Sequence, residues 1–174
     1  MEKAPSRFRS NADYYDWDLK NHEQKGNLKF VDGYSWQSGE PETDHYLQGL
    51  TDLNQISMTF IRTLNDFRED VNRSTLNSAS ALLEYMNSQS AKKLIKVLGA
   101  KAAKRSGVLI VTLHKSLHDK KERARIKDAA DGVIRLETSE NQPYLGIERM
   151  KQTDHVKDWR KLMISSERGI WLET

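Results

Sequence analysis

An α/β fold is predicted for these 174 residues, with a mostly parallel sheet flanked by helices and an antiparallel β extension at the C-terminus. Three observations predict it. Residues 108–114, VLIVTLH, form a continuous, largely β-branched run of the kind that makes a parallel strand covered on both faces. Stretches of helical periodicity lie between this run and the other extended segments, as right-handed βαβ crossovers require. Residues 131–151, DGVIRLETSENQPYLGIERMK, alternate apolar and polar side chains in two runs around Asn141-Gln142-Pro143, the pattern of an antiparallel hairpin.

The elements follow in order. Residues 6–24 scatter Phe8, Tyr14, Tyr15, Trp17 and Leu19 among charges and predict one or two short helices closed by Gly26. LKFV (28–31) predicts a short strand running into Asp32-Gly33 and a loop that continues to Thr43. From Leu50 to Phe67, apolar residues recur at helical spacing: Leu53, Ile56, Phe60, Ile61, Leu64 and Phe67. RSTLNS (73–78) predicts a strand, and the small residues and ALLEYM that follow predict a helix. Ser90 is a candidate N-cap for a helix from Ala91 to Arg105, which Ser106-Gly107 ends. In such a sheet, ligands bind at the carboxyl ends of the strands.

Composition excludes several chemistries. The chain has no cysteine, which removes disulfides, thiolate metal sites and cysteine nucleophiles. No apolar run approaches the ~20 residues that span a bilayer, and the N-terminus lacks the apolar core of a signal peptide; a cytoplasmic location follows as the expectation. The length suits a single domain over 1–174. A formal charge of +3 makes the whole chain a weak attractor of polyanions. With 37% apolar residues and a mean hydropathy of −0.78, the core should be thin.

Local features suggest candidate sites. Arg149 and Lys151 are two residues apart at the end of the second hairpin strand, hence on one side of it. Such a pair suits phosphate, a carboxylate or a partner subunit, and equally suits a solvated edge strand that resists aggregation by charge. Lys115, Lys120, Lys121, Arg123, Arg125 and Lys127 crowd after the run at 108–114, beside His114 and His118. That stretch reads either as a nucleic-acid-binding loop or as a solvated helix start tempered by Asp119, Glu122 and Asp128. The two histidines lack a nearby acid at ligand spacing, so no metal site is expected. Ser78 and Ser80 lack a foreseeable His-Asp partner for nucleophilic catalysis.

Five blocks together resemble a KaiC-like ATPase domain of the RecA superfamily: VDGYSW (31–36), RSTLNSASALLEY (73–85), GVLIVTLH (107–114), ADGVIRLE (130–137) and ERMKQTDH (148–155). Their order and spacing match, and SERGIWL is similar to the family's closing strand. The resemblance implies a partial RecA-like fold of the P-loop NTPase type. It also shows what is missing. None of the nine glycines precedes a lysine, so the G-x-x-x-x-G-K-[ST] loop is absent, and with it the backbone nest and lysine that hold a triphosphate. Glu2 falls near the family's catalytic acidic pair, with Lys3 in place of the second acid. Asn77 stands where the resemblance implies a magnesium-supporting aspartate, and an amide supplies no anionic charge. Arg149 and Lys151 occupy the family's K-x-R position, with the two types exchanged, where they would reach a neighbour's γ-phosphate. The basic stretch 115–127 corresponds to a loop facing a ring's pore.

These implications give an expected chain with no enzymatic activity of its own and no cofactor beyond ATP and magnesium met through a partner subunit. It would act as a regulatory or assembly partner of an ATPase, or associate with itself. In the alternative, it is the C-terminal part of an ATP-binding ATPase whose phosphate loop lies on a missing or separately encoded segment. A further alternative is a nucleic-acid-binding module. The family's phosphate-loop strand would lie between 108–114 and 131–137, so without it those strands must pair directly or meet another chain.

Overall fold

The computed structural model describes residues 1–68 and 72–173. Its elements are α1 (Pro5–Asp13), α2 (Leu19–Gln24), α3 (Leu53–Asn65), β1 (Arg73–Leu76), α4 (Ala79–Tyr85), α5 (Ser88–Ala103), β2 (Val108–Val111), α6 (Lys120–Lys127), β3 (Gly132–Ser139), β4 (Gln142–Met150), β5 (Arg160–Ser165) and β6 (Gly169–Leu172). Single 3-10 turns lie at Ser35–Gln37 and Lys115–Leu117. The chain divides into two units: Met1–Asp13 with Asp18–Ala129, and Tyr14–Trp17 with Ala130–Thr174. No helix among the described residues is long and apolar enough to cross a membrane.

In the first unit, β1 and β2 pair in parallel, in register from Arg73↔Val108 to Leu76↔Val111. Helix α5 supplies the main apolar face: Ala91, Leu94, Ile95, Leu98 and Ala102, at helical spacing, are all buried. They join Leu47, Leu50, Ile56, Leu76, Leu82 and Ile126 in one core. Burying a leucine such as Leu94 or Leu98 is worth about 1.5–3 kcal/mol, so α5 anchors this unit. Gly107, where the chain turns from α5 into β2, must be small: a Cβ there would lie 2.6 Å from Asn72 Oδ1. Gly26 closes α2 in the left-handed conformation, as its sequence position predicts (φ +74).

Three expectations for this unit are corrected. Residues 28–31 form no strand; the one pairing nearby is an isolated parallel bridge between Asp32 and Tyr46, which offers too few ladder bonds to extend the run. The cap of α5 is Asn87 rather than Ser90, so the helix starts at Ser88. Asn87 Oδ1 accepts from the amides of Gln89 (3.1 Å) and Ser90 (2.9 Å), leaving Ser90 capped instead of capping. The strand at 108–114 is regular only over Val108–Val111 and is not covered on both faces. Val108 and Ile110 are 50% and 53% exposed, whereas Leu109, Val111 and Leu113 pack on the core. A β-branched run reads alike whether one face or two are covered, because propensity reports backbone geometry and not what lies above it.

The second unit is a four-stranded antiparallel sheet in the order β3-β4-β5-β6. The hairpin at 131–151 forms as its alternation predicts, with Ser139↔Gln142 closing a two-residue loop. The turn is Glu140-Asn141, both at positive φ (51° and 63°), as a two-residue turn matching the strand twist demands. It therefore precedes the expected Asn141-Gln142-Pro143 break, and Pro143 sits inside β4 opposite Thr138. A register shift between Val133 and Ile134 marks a bulge near the basic end of β4. The closing strand, β6, is present; its partner β5 was not foreseen. Direct pairing of the runs at 108–114 and 131–137 does not occur: among the described residues β2 pairs with β1, and β3 with β4.

Candidate functional site

Parallel strands ending together leave backbone groups and side chains converging beyond their carboxyl ends. Here β1 and β2 end side by side, and the residues that follow weave a polar cluster. The amide of Thr112 donates to Leu76 O (3.1 Å), and that of Ala79 to Thr112 O (2.9 Å). Thr112 Oγ1 donates to Asn77 Oδ1 (2.8 Å). The His114 amide donates to Ser80 Oγ (2.9 Å). Ser78, fully buried, caps α4 by accepting from the Ala81 amide (3.2 Å) while its hydroxyl donates to the Glu2 carboxylate. The other oxygen of Glu2 lies 3.2 Å from His114 Nε2.

Glu2 is the carboxylate of this cluster. Burial pushes its carboxyl upward, but the hydrogen bonds from Ser78 and His114 outweigh that and hold it below its ordinary value. It is therefore an anion near neutrality, with one hydroxyl and one imidazole aimed at it. Such a group can accept a proton or orient a water. Its partners lie 76 and 112 residues away, so no local spacing could announce the trio. A cleft of about 1030 Å³ runs along β1, lined by Arg73 to Asn77 and, facing them, Lys29, Phe60 and Thr63.

The remaining predicted residues are placed as follows. His114 and His118 flank the 3-10 turn at Lys115–Leu117 in extended conformations, so they do not share a helical face. His118 lies 3.6 Å from Glu122 Oε2 instead. The basic stretch becomes that turn and α6, which opens with a capping box between Asp119 and Glu122. Arg123 Nη1 donates to the carbonyls of Lys115 (2.8 Å) and His118 (3.2 Å), and Arg125 Nη1 to Ser88 Oγ (2.8 Å). Lys120 and Lys121 are exposed and Lys127 is half-buried. In the second unit, Arg149 Nη2 donates to Ala130 O (2.9 Å), and Lys151 Nζ pairs with Asp131 Oδ1 at 3.0 Å. Lys151 and Asp131 are 54% and 90% exposed, so water competes for both and the pair is worth at most about 1 kcal/mol.

A small parallel sheet under helices, a polar cluster at its carboxyl end and an antiparallel C-terminal sheet define a KaiC/RecA-like α/β domain. The family model for KaiC ATPases matches residues 1–173, and the chain belongs to that family. Among solved structures, the chain is similar to the KaiC-like protein of the hyperthermophilic archaeon Pyrococcus horikoshii OT3, with a TM-score of 0.72 and 14% identity. The match covers 99% of this chain and 72% of that one. No curated protein matches the chain. Membership in a family of ATPases overturns the expectation, drawn from the missing motifs, that the chain is no enzyme.

Magnesium, which accompanies ATP in phosphoryl transfer, wants several oxygen ligands including anionic ones. Among the described residues, the strand ends offer one carboxylate, Glu2, already bonded to Ser78 and His114, and the neutral amide of Asn77. That donor set does not fit a magnesium site by itself.

Proposed function

We propose that this chain is the C-terminal part of a KaiC-type ATPase domain that binds and hydrolyses ATP together with a phosphate-binding segment lying outside these 174 residues. The observation that carries this reading is the cluster at the ends of β1 and β2, where Glu2 is held as an anion by Ser78 and His114 beside Asn77 and Thr112. That is the position at which α/β sheets present catalytic groups to a ligand. Glu2 orients the attacking water, and the missing lysine and backbone nest come from the complementing segment. Arg149 and Lys151 act on the nucleotide of a neighbouring subunit. Lys151 exchanges the exposed Asp131 for phosphate at little cost, and Arg149 supplies a forked cation from a strand end.

A fusion of this chain to the phosphate-loop segment of a KaiC-type ATPase tests the reading. The folded fusion should hydrolyse ATP, and Arg149→Ala with Lys151→Ala should lower kcat by roughly 100-fold or more while ATP still binds, since interface cations stabilise the transition state more than the ground state. No hydrolysis by a folded fusion, or an unchanged kcat in the double variant, overturns it.

A further inference from the structure

Basic charge is not spread evenly over this chain. Residues 88–105, helix α5 and the turn after it, carry six basic side chains (Lys92, Lys93, Lys96, Lys101, Lys104 and Arg105) and no acidic one. The whole chain has a formal charge of +3, so the remainder is net negative. Helix α5 turns Ala91, Leu94, Ile95, Leu98 and Ala102 into the core of the first unit. At about 100° per residue, Lys93, Lys96 and Lys104 fall on the opposite side within about 80° of one another. All three are exposed.

The acids of the neighbouring helices are engaged elsewhere. On α6, Asp119 and Glu122 are joined in the capping box, and Asp128 pairs with Lys92. On α3, Asp52 caps the N-terminus and Asp66 lies 2.7 Å from His45 Nε2. Among the described residues, Lys93, Lys96 and Lys104 form no ion pair. This charge is a property of the first unit alone, since α5 and the core beneath it lie within Asp18–Ala129. Whatever lies over the stripe must replace the water around three ammonium groups. Only a surface that brings negative charge does so without a penalty of several kcal/mol per buried ion.

We infer that this lysine face binds the phosphate backbone of a nucleic-acid duplex, without regard to sequence. The occupant follows from spacing and from what stands between the lysines. Lys93 and Lys104 are about 16 Å apart along the axis, the rise of about five base pairs. Ala100 and Ala103, small and exposed, let a backbone come close, and Val97 is the one larger apolar residue there. A protein partner needs aromatic or aliphatic anchors, and lysine is depleted where proteins meet. A membrane surface takes up a helix through an apolar face as well as through cations, and the apolar face of α5 is committed to the core. The stripe has no arginine, asparagine or glutamine to read a base edge and no ring to stack an unpaired base, so it holds a duplex backbone rather than particular bases. The stretch 115–127 is a separate feature, in which Arg123 and Arg125 are engaged with Lys115 O, His118 O and Ser88 Oγ. The inference needs neither ATP nor the complementing segment, so it stands or falls apart from the proposed function.

Fluorescence anisotropy of a labelled DNA duplex of about 20 bp and mixed sequence, titrated with the 174-residue chain without nucleotide, tests it. Three phosphate contacts give a slope of about −2.7 in log K against log salt, so affinity should fall about 40-fold between 50 and 200 mM. Lys93→Gln with Lys96→Gln and Lys104→Gln, exposed changes that keep helix propensity, should flatten the slope by about 2 and weaken binding at 50 mM at least about 10-fold. Lys20→Gln with Lys157→Gln and Lys161→Gln removes the same charge elsewhere and should leave the slope unchanged. No binding at low salt, a slope that the α5 triple variant leaves intact, or equal losses in both triple variants overturns the inference. Tighter binding to phosphatidylserine vesicles or to polyglutamate than to the duplex also overturns it, and gives the face to a membrane or to an acidic protein.

Discussion

Asp32 offers the sharpest test of what holds the first unit together. Its carboxylate is 2% exposed and accepts from the amides of Tyr34, Ser35 and Glu42, each at 3.0 Å. Its own backbone bridges the loop to residues 45–47: its amide donates to His45 O (2.8 Å) and its carbonyl accepts from Leu47 N (2.9 Å). Hydrogen bonds to a charged group contribute about 1.5–3 kcal/mol each, but only when the partner cannot return to water. Ser35 is buried, whereas Tyr34 and Glu42 are exposed and regain solvent when the loop relaxes. Counting Ser35 in full and the other two at about 0.5 kcal/mol each, Asp32→Ala should cost about 3 kcal/mol. Asp32→Asn should cost about 1–2 kcal/mol, because one oxygen still accepts while the amide nitrogen opposes the Glu42 N–H. The acid limb separates charge from shape. Burial pushes the Asp32 carboxyl upward, but the bonds from Ser35, Glu42 and Tyr34 overcome this and hold it below its ordinary value. The unfolded chain therefore binds more protons, so this stabilisation is complete above the unfolded pKa near 3.8 and disappears as pH falls through the lower folded value. Urea unfolding followed by tryptophan fluorescence, at neutral pH and through the acid range, measures both. A cost for Asp32→Ala below about 0.5 kcal/mol, or equal acid slopes for the native chain and Asp32→Asn, would refute the account.

Two further outcomes test the parallel layer under the site. Asn87→Ala removes the cap from α5 and should lower stability by about 1 kcal/mol in thermal unfolding, whereas Ser90→Ala should be nearly neutral. Gly107→Ala should cost about 1–3 kcal/mol, because the new methyl meets the backbone and side chain of Asn72 at 2.6–2.8 Å where β1 and β2 begin; chemical denaturation measures it.

The parts of this fold legible in the sequence are those whose period is their own signal. The hairpin was readable because Val133 to Glu137 and Tyr144 to Met150 alternate, and α3 because Leu53, Ile56, Phe60, Ile61, Leu64 and Phe67 recur at helical spacing, although its buried face also takes in Thr59 and Thr63. Its turn was misplaced by a residue or two because Glu140 adopts positive φ, which favours glycine or asparagine, and only the flanking pairing forces a glutamate into it. The open face of β2 was illegible for a physical reason. Composition marks a residue as apolar, but whether anything lies over it depends on chain elsewhere. The same holds for Glu2, Ser78 and His114, three ordinary residues until folding brings them within hydrogen-bonding distance.

Asn77 shows how the chemistry must be divided on the proposed reading. Its Oδ1 accepts from Thr112 Oγ1, a bond an aspartate in the same place would accept equally well. Nothing in the local fold therefore requires the amide, and nothing around it restores the lost charge. Exposed Thr112 donates to it but brings no anion, and the nearby hydroxyls of Ser78 and Ser80 are committed, one to Glu2 and the α4 cap, the other to the His114 amide. Among the described residues Glu2 is the single carboxylate of the strand-end cluster, and one anion shared with Ser78 and His114 can orient a water but cannot also hold a hydrated divalent cation. On the proposed reading, charge neutralisation at the phosphates comes from cations outside the cluster: a lysine on the complementing segment, and Arg149 and Lys151 of a neighbouring copy. On that reading the first unit supplies the proton chemistry and the second the cations, and Arg149→Ala with Lys151→Ala in one copy should be rescued by mixing with copies that keep both residues.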